Sequence, residues 1–301
     1  MATTTVLVTG ATGLLGAALV PALQTAGFTV LRHGWQAAAD VHADLTRRDD
    51  TLALLERVRP DVIVHLAALT DVDACEADPQ RAYLLNLQSV VHLAEWIANA
   101  RPGSHLVHIS TDQVYDGAGP HAEGGVCIRN TYAFSKIAAE IAASGVGATV
   151  LRTNFFGRSQ RAGRASFSDW LFAALRSGQA IQVFDDVLFS PLAIDTLALA
   201  ISRVVARRPA GVLNLGSCVG GVGGGVGGIS KADFAFAFAA AAGLPTASMT
   251  RSLSTTMTTL KAYRPKDMRM DSSRFERTLD LRLPELSDEI QRMGMLYREP
   301  A

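Results

Sequence analysis

Short apolar runs and longer helical stretches alternate along the first half of the chain. The first run, Thr4–Thr9, is rich in β-branched residues and stops at Gly10, which predicts a buried strand. Helices and strands then continue in turn, with helices at Leu14–Ala26 and Pro79–Asn99 and strands at Thr29–Arg32, Asp61–Leu66, His105–Ser110 and Ala148–Thr153. Strands that alternate with helices in this way predict an α/β fold built on a doubly wound parallel sheet.

The alternation loosens after about Phe155. Helices at Ser166–Arg176 and Ile194–Ala206 alternate there with short strands at Ile181–Phe184 and Val212–Leu215. We therefore expect a sheet domain over residues 1–154 and a smaller C-terminal α/β lobe over residues 155–301. The lobe is expected to be interleaved with the last strands of the sheet.

A glycine-rich segment interrupts the second half of the chain between Gly216 and Gly228. Because glycine is costly to order, the segment predicts a mobile surface loop. It is not followed by the Lys-Ser/Thr pair that a phosphate-binding P-loop requires, which argues against a phosphate site here.

Composition excludes several classes of protein. Hydrophobic residues make up 49% of the 301 residues and charged residues 19%, enough for a sizeable core. Lys plus Arg and Asp plus Glu both number 28, so net charge gives no reason to expect binding to nucleic acid or to a membrane surface. The three cysteines, Cys75, Cys127 and Cys218, have neither metal-ligand nor disulfide-framework spacing. With no signal peptide and no long apolar segment, a cytoplasmic location is expected.

A dinucleotide-binding loop is predicted directly after the first strand. Its glycines, Gly10, Gly13 and Gly16, permit a tight turn, close approach of the backbone to a pyrophosphate and close packing of helix on strand. Thr12, Leu14 and Leu15 complete the loop, and the helix N-terminus supplies N–H donors for phosphates. This context, a strand before the loop and a helix after it, predicts a Rossmann fold.

The end of the second strand favours NADP(H) over NAD(H). An enzyme that prefers NAD usually places an acidic residue there for the ribose hydroxyls, whereas this chain has Arg32 and His33. A guanidinium suits the 2′-phosphate of NADP. Further cofactor contacts are expected from the pair that follows a short third strand and from the small residues that end the fourth, namely Asp44, Leu45, Leu66, Ala67 and Ala68. His65, at the end of that fourth strand, is interpreted as a structural residue.

Tyr132 and Lys136 form the candidate catalytic pair. They open a predicted helix with a spacing of i, i+4, so both side chains lie on one face. An ammonium close to a tyrosine favours the phenolate and lowers the pKa of the phenol from its ordinary value of about 10. Tyr132 can then act as a general acid or base. Thr111, which ends a predicted strand, can donate a hydrogen bond to a carbonyl oxygen beside it.

These motifs resemble those of a known family. TGATGLLG at Thr9–Gly16, HLAA at His65–Ala68, STDQVY at Ser110–Tyr115 and YAFSK at Tyr132–Lys136 occur in this order. Together they are similar to the extended short-chain dehydrogenase/reductase family, within which the chain most resembles the dTDP-4-dehydrorhamnose reductase branch. The tracts His65–Asn86 and Arg264–Glu276 are similar to further segments of that branch.

The resemblance implies a reaction and a set of site residues. It implies hydride transfer from NADPH to the C4 ketone of a nucleotide-linked 4-keto-6-deoxy sugar, with Tyr132 as the proton donor and Lys136 on the nicotinamide ribose. Contacts to the nucleotide sugar would come from Thr111, Asp112, Phe155 and Arg264, with support from Asn86. It also implies a possible homodimer through the helices at Pro79–Asn99 and Tyr132–Ala143.

Departures from the branch leave alternatives open. Gln113 stands where an aromatic residue is usual and Phe155 where tryptophan is usual, and the loop Gly117–Asn130 lacks the expected prolines. A second hypothesis is an NAD-dependent sugar-nucleotide epimerase or dehydratase, although a dehydratase normally has Glu at the position of Gln113. A third is a non-catalytic nucleotide-binding regulatory subunit. Such proteins often lose the tyrosine or the lysine, both of which are present here.

Overall fold

The structure is a computed structural model that describes residues 3–35, 39–218 and 228–298. Strands β1–β12 occupy Thr5–Thr9, Thr29–His33, Val62–His65, His105–Thr111, Thr149–Thr153, Phe155–Phe156, Ile181–Phe184, Leu188–Phe189, Leu192–Ala193, Gly211–Leu215, Ile229–Ser230 and Met249–Ser252. Most of the glycine-rich segment, residues 219–227, lies outside the described residues, so its predicted character as a loop stays a prediction.

The helices fall between these strands. Helices α1–α11 occupy Leu14–Thr25, Arg48–Val58, Val72–Ala77, Pro79–Ala82, Ser89–Ala100, Thr131–Ser144, Phe167–Arg176, Ile194–Arg207, Lys231–Ala242, Ser273–Leu279 and Leu286–Arg298. A π-helical stretch at Tyr83–Gln88 joins α4 to α5. The long helix predicted at Pro79–Asn99 is therefore present as three consecutive helical segments. None of the helices in the described ranges has the length and apolar character needed to cross a bilayer.

Six strands form one parallel sheet in the order β10-β5-β4-β3-β1-β2. The chain starts at β1, adds β2 on one side and then returns to add β3, β4 and β5 on the other. This reversal between β1 and β3 makes the sheet doubly wound and confirms the predicted fold class. In such sheets ligands bind at the carboxyl ends of the strands beside the reversal. The expected short third strand before Asp44 is wrong: it is reduced to a single bridge between Val41 and His33.

The described chain forms two compact units. Unit 1 comprises Met1–Thr111, Asn130–Arg152 and Ala198–Leu213, and unit 2 comprises Asp112–Arg129, Thr153–Leu197 and Asn214–Ala301. The predicted domain division at residue 154 stays a prediction.

Unit 1 has an apolar core between its strands and helices. Leu7 of β1 and Ile63 of β3 are fully buried, and Leu93 and Trp96 of α5 pack in the same cluster with Val150 of β5. The sequences of strands that are buried on both faces are continuous apolar runs and do not alternate between apolar and polar residues. This explains why β1 and β3 could be predicted from short unbroken apolar segments.

Unit 2 has its own core, centred on α9 and α11. Phe234 and Phe238 of α9 stack with parallel rings 6.2 Å apart, and Phe238 meets Tyr297 of α11 edge to face. The two helices approach closely at Gly294, where a Cβ atom would lie 2.5 Å from the Cβ of Ala241. Glycine at this position therefore permits the helix packing.

Candidate active site

The loop after β1 is shaped by its glycines. Gly10 adopts a φ of +66°, and a Cβ there would lie 2.8 Å from the backbone nitrogen of Ala67. The Gly13 N–H donates to the Gly10 carbonyl at 2.9 Å and closes the turn. A Cβ on Gly16 would lie 2.5 Å from the Ala11 carbonyl oxygen, so α1 packs tightly onto its own loop. These are the geometric roles that a dinucleotide-binding loop requires.

The start of α1 is open to an anion. Its N-cap is Gly13, and among the described residues no side chain caps the helix there. Uncapped N–H groups at a helix N-terminus, together with the helix dipole, attract phosphate. Thr12 and Leu14 are half-buried here, whereas Leu15 is buried against the core. The predicted loop residues therefore lie around the start of α1, and their contact with a phosphate stays a prediction.

The segment after β3 lies against the same loop. The Thr9 hydroxyl accepts hydrogen bonds from the backbone N–H groups of Leu66 at 3.2 Å and Ala67 at 3.4 Å. With Gly10 in contact with Ala67, the structure brings two predicted cofactor segments together. Ala68 follows directly and is half-buried.

His65 is held as a structural residue would be. Its Nδ1 lies 2.8 Å from the Thr9 hydroxyl and its Nε2 lies 3.3 Å from the Ser89 hydroxyl. Burial lowers the pKa of His65 to about 3, so its ring is neutral. These contacts agree with its interpretation as a packed residue.

Arg32 is paired with an acid that the sequence analysis did not anticipate. Its Nη2 donates to Asp40 Oδ1 at 2.7 Å, its Nε to Oδ2 at 3.1 Å, and its backbone N–H to Oδ2 at 2.9 Å. The guanidinium lowers the pKa of Asp40 to about 2. Because the Arg32 side chain stays 45% exposed, it remains accessible to a 2′-phosphate. His33 is buried with Nε2 3.0 Å from the Ala43 carbonyl, and burial lowers its pKa.

The Asp44–Leu45 pair is ordered by local contacts. Asp44 Oδ1 accepts hydrogen bonds from the backbone N–H of Thr46 at 2.9 Å and from its hydroxyl at 2.6 Å. Leu45 is buried, and its carbonyl lies 3.0 Å from His92 Nδ1. Their contact with an adenine stays a prediction.

Helix α6 presents three ionisable side chains on one buried face. Asn130 caps the helix by accepting the Ala133 N–H at 2.8 Å. Tyr132, Lys136 and Glu140 then follow at i, i+4 and i+8, and all three are buried. Tyr132 packs with Cys75 in a small apolar cluster. The structure thus places Tyr132 and Lys136 on one face of one helix, and their catalytic role stays a prediction.

Lys136 is anchored to β4. Its ammonium donates to the Ile109 carbonyl at 2.7 Å and lies 3.3 Å from His108 Nε2. Burial lowers the pKa of Lys136 to about 8, and the Glu140 carboxylate acts in the opposite direction. Thr111, also buried, ends the same strand two residues beyond Ile109.

A buried ion pair joins α6 to β5 next to Lys136. Arg152 Nη2 donates to Glu140 Oε2 at 2.6 Å and its Nε to Oε1 at 3.0 Å, while the Ser110 hydroxyl also donates to Glu140. Both charged side chains are at most 5% exposed. Because a carboxylate buried without a partner is strongly unfavourable, the pair fixes α6 against the strands β4 and β5.

Asn86 braces the scaffold from the π-helical stretch. Its Oδ1 accepts the Leu69 N–H at 2.7 Å, and its Nδ2 donates to the Leu69 carbonyl at 3.0 Å and to the Ser135 hydroxyl at 2.9 Å. It therefore ties the segment after β3 to α6. The predicted role of Asn86, support for the site, stays a prediction that these contacts favour.

The remaining predicted substrate residues belong to unit 2. Asp112 Oδ2 accepts a hydrogen bond from Asn154 Nδ2 at 2.7 Å. Phe155 follows Asn154 and pairs with Leu192 across β6 and β9. Arg264 is half-buried and donates to the Ala262 carbonyl at 2.9 Å. The structure brings Asp112 next to Asn154, and its contact with a sugar stays a prediction.

Sequence reasoning missed His108 and Glu140, which act on Lys136, and Ser110, which donates a hydrogen bond to Glu140. A signal for them was present in the chain. His108 and Ser110 are polar residues two apart in a buried strand, so they share a face, and Glu140 continues the i, i+4 spacing of Tyr132 and Lys136. Pairing a polar strand face with a polar helix face would have predicted these contacts. No comparable pattern marks Asp40.

Comparisons with known proteins agree with this geometry. A dTDP-4-dehydrorhamnose reductase of Salmonella typhimurium is 30% identical over an alignment that covers 96% of this chain and 96% of that protein. The spore coat polysaccharide biosynthesis protein SpsK of Bacillus subtilis is 32% identical over 71% of this chain and 75% of its own length.

A solved structure shares the fold. The dTDP-4-dehydrorhamnose reductase of Bacillus anthracis, in complex with NADP, matches with a TM-score of 0.84 at 22% identity, over 98% of this chain and 100% of that one. The cofactor of that protein is the one that the sequence predicts here. The comparisons confirm the predicted enzyme class, an NAD(P)-dependent oxidoreductase of the extended short-chain type.

The family itself is settled by a match over almost the whole length. The family model described as the RmlD substrate binding domain covers residues 4–298. The chain therefore belongs to the RmlD substrate-binding-domain family.

Proposed function

We propose that this chain is an NADPH-dependent reductase that acts on a nucleotide-linked 4-keto-6-deoxy sugar, as the dTDP-4-dehydrorhamnose reductases do. The observation that carries the proposal is the position of Lys136, on the same face of α6 as Tyr132 and 2.7 Å from the Ile109 carbonyl of β4. In this arrangement a phenol and an ammonium on α6, and Thr111 at the end of β4, belong to two neighbouring elements of unit 1. Relatives named as reductases over nearly the full length support the substrate class.

The cofactor site is proposed from the loop geometry. Gly10 and Gly16 leave no room for side chains, and the uncapped start of α1 offers N–H donors to a pyrophosphate. Arg32, still partly exposed, would pair with the 2′-phosphate. Bound NADPH supplies the hydride.

Residues of α6 and β4 are proposed to carry out the proton transfer. Tyr132 donates its hydroxyl proton to the carbonyl oxygen of the sugar as that oxygen gains negative charge, and it is left as a phenolate. The Lys136 ammonium stabilises that phenolate, since an adjacent cation favours the charged form. Thr111 donates a hydrogen bond to the same oxygen and shares the developing charge. Tyr132 then regains a proton from solvent.

The sugar and its diphosphate are proposed to lie against residues of unit 2. The Asp112 carboxylate, oriented by Asn154, is suited to accept hydrogen bonds from sugar hydroxyls. Phe155 offers an apolar face. The Arg264 guanidinium matches phosphate oxygens in geometry and charge.

A homodimer is part of the proposal. Phe134 and Ile141 lie seven residues apart on α6, so they share a face, and their side chains are 61% and 71% exposed. An apolar pair left in water on this helix supports a packed contact there. Light scattering of the wild type and of Ile141→Lys tests it, because the charged variant should shift the protein to a monomer.

The deciding experiment is to incubate the protein with NADPH and a panel of nucleotide-linked 4-keto sugars and to follow the absorbance of the reduced cofactor. We expect oxidation of NADPH with at least one sugar. Tyr132→Phe should keep cofactor affinity but lose at least about a hundredfold in turnover, as expected for a general acid.

Two outcomes would reject the proposal. Consumption of a 4-hydroxy nucleotide sugar with no net change in cofactor would favour an epimerase or dehydratase. Nucleotide binding without turnover of any sugar would favour a regulatory subunit. A Tyr132→Phe variant as fast as the wild type would reject the proton donor alone.

A further inference from the structure

The ammonium of Lys136 has a second neighbour besides the Ile109 carbonyl. His108 Nε2 lies 3.3 Å from Nζ, and both side chains are buried, with exposed fractions of 0% for His108 and 2% for Lys136. His108 reaches the lysine from β4, the same strand that supplies the Ile109 carbonyl at 2.7 Å. Two adjacent residues of one strand therefore hold the head group of the lysine.

The chemistry of the pair fixes the state of the imidazole. An ammonium has three donors and no acceptor, so Nε2 must face it as a lone pair rather than as an N–H. The proton of the neutral ring is then on Nδ1. A protonated ring is disfavoured because desolvation, and after it the charge of Lys136, lowers the pKa of His108 well below its ordinary value.

The position of Nδ1 argues against a purely structural role. Within the described residues, Nδ1 of His108 is buried without a hydrogen-bond partner. The ring stacks on His65, with centroids 5.7 Å apart, yet His65 satisfies both of its nitrogens with Thr9 and Ser89. A buried N–H without a partner is unfavourable, so an apolar residue would suit this place better if packing were its only task.

We propose that His108 is a positioning residue for Lys136: its neutral Nδ1–H ring accepts one ammonium proton through Nε2. The inference rests on the proposed function, in which Lys136 serves Tyr132 and the cofactor. His108 and the Ile109 carbonyl engage two of the three N–H groups, and the third is left for the cofactor ribose or for Tyr132. The ring thereby sets the direction of a flexible side chain before any ligand binds.

The charged and titratable neighbours of the pair come from several elements. His65 of β3 faces the ring of His108, while Glu140 of α6 and Cys75 of α3 act on the charge of Lys136. Glu140 forms an ion pair with Arg152, whose Nη2 lies 2.6 Å from Glu140 Oε2. His108 is thus the neutral acceptor within a group of charges, which lets it orient Lys136 without quenching its charge.

The first arm of the test examines the protein without ligand. In protein labelled with nitrogen-15 at histidine, long-range proton–nitrogen spectra identify the protonated nitrogen of each ring. We expect His108 as the neutral Nδ1–H form at neutral pH, and we expect Lys136→Met to release this preference. An Nε2–H form or an imidazolium in the wild type would overturn the proposal, whatever the enzyme's substrate.

The second arm compares variants that differ in the acceptor. His108→Leu removes it, whereas His108→Gln places an amide oxygen near the position of Nε2. We expect the leucine variant to bind NADPH about tenfold more weakly, the usual effect of losing a hydrogen bond to a charged group. The glutamine variant should recover most of this affinity. A role in packing predicts the reverse order, so a leucine variant that binds NADPH as well as the wild type would overturn the proposal.

The pH profile of NADPH affinity gives a third readout. The wild type should lose affinity above the Lys136 pKa of about 8. Without its acceptor the ammonium is less stable, so in His108→Leu the pH at which NADPH affinity begins to fall should be lower by about one pH unit. His105→Gln is the matched control: His105 lies on the same strand, bonds Thr149 Oγ1 at 2.8 Å and should leave the profile unchanged. If NADPH affinity falls at the same pH in His108→Leu as in the wild type, the proposal is contradicted.

These arms separate the inference from the function on which it rests. If no keto sugar is reduced but NADPH binds and the tautomer and variants behave as expected, the proposed substrate fails and the positioning role stands. If the sugar is reduced and Tyr132→Phe is inactive while His108→Leu equals the wild type in affinity and pH profile, the positioning role alone fails. Should His108→Leu not fold, the spectra and His108→Gln decide.

Discussion

Arg32 illustrates how a single side chain depends on a partner that no local spacing rule predicts, here Asp40, eight residues further along the chain. Alone, it is a flexible cation at the end of β2. In the structure, three hydrogen bonds to Asp40 hold its guanidinium and its backbone, while nearly half of the side chain stays exposed. A guanidinium fixed in this way is pre-organised for a phosphate, although the Asp40 carboxylate also competes for the same donors.

This pairing leads to a prediction about cofactor choice. We expect wild type to prefer NADPH over NADH by roughly tenfold or more, because a guanidinium–phosphate contact contributes about 1.5–3 kcal/mol. Arg32→Ala should erase most of the preference, and Arg32→Asp should reverse it. Fluorescence titrations with each cofactor, at the same salt concentration, measure it.

Asp40→Asn is the matched control for Arg32. It removes the negative charge but keeps the guanidinium, so the preference for NADPH should persist. Equal affinity of the wild type for both cofactors would contradict the assignment. His33, buried and hydrogen-bonded to the Ala43 carbonyl, could not replace Arg32 as a phosphate contact.

Residues that act through local spacing were predictable, and those that act through tertiary contact were not. The loop Gly10–Gly16 and the pair Tyr132 and Lys136 follow from spacing along one element. Asp40 depends on the path of the chain after β2, and His108 depends on which face of β4 meets α6. Local sequence patterns do not predict these tertiary contacts, so Asp40 and His108 were recognised only in the structure.

At the scale of elements, patterns with a clear period were predicted and uniform ones were missed. Strands such as β7, Ile181–Phe184, and helices such as α7 were predicted within a residue or two of their bounds. Helix α9 was not predicted, because its sequence KADFAFAFAAAA is almost entirely apolar after Asp233 and shows no helical period. Most of this helix is buried in the core of unit 2.

The packing of α9 on α11 gives a prediction at this scale. Gly294→Ala would place its Cβ 2.5 Å from the Ala241 Cβ and 2.9 Å from the Ala241 backbone carbon. We expect a loss of about 1–3 kcal/mol in the free energy of unfolding, which exceeds the gain of up to about 1 kcal/mol from the better helix propensity of alanine. Urea unfolding measures the difference.

Two further variants test whether the loss of stability comes from the close approach of α9 and α11. Ala241→Gly in the Gly294→Ala background should recover part of the loss, since it removes one of the clashing atoms. Gly103→Ala serves as a control, because a Cβ there would meet nothing within 4 Å; its effect should stay within about 0.5 kcal/mol. A Gly294→Ala variant more stable than wild type would show that the helices do not approach as closely as described.

At the scale of the whole molecule, the doubly wound class of the sheet was predicted from the sequence, and the separate stretches of chain that make up each unit were not. A doubly wound sheet is the standard arrangement for alternating strands and helices, so the alternation alone predicts it. Each unit, in contrast, gathers three separate stretches of chain. Such a division depends on long-range packing, which no local pattern along the chain encodes.

Buried histidines in unit 1 should make the protein labile to mild acid. Burial lowers the pKa of His65 to about 3 and of His105 to about 4, and places that of His108 well below its ordinary value. In the unfolded chain each would titrate near about 6.5. Between these values the unfolded state binds more protons, so stability is present above about pH 6.5 and is lost as the pH falls.

The size of this effect can be measured. Each such histidine contributes about 1.4 kcal/mol per pH unit within its window, so three give a slope approaching about 4 kcal/mol per pH unit near pH 5. Carboxylates do not mask it, because stabilisation from a group such as Asp40, whose pKa is lowered to about 2, is lost only at lower pH. Urea midpoints at pH values of about 7, 6 and 5, followed by the fluorescence to which buried Trp96 contributes, should fall steeply.

The variant His105→Gln tests the origin of the slope. His105 is the least buried of the three, and glutamine can keep a hydrogen bond to the Thr149 hydroxyl, so the fold should persist. Removing one of these three groups should reduce their combined contribution to the slope by about a third, with little change in stability near pH 7. Stability that does not change between about pH 7 and pH 5 would mean that the histidines are solvated or protonated in the folded protein. The neutral His108 ring proposed as the acceptor for Lys136 would then be in question as well, so this measurement bears on both the stability of unit 1 and its site.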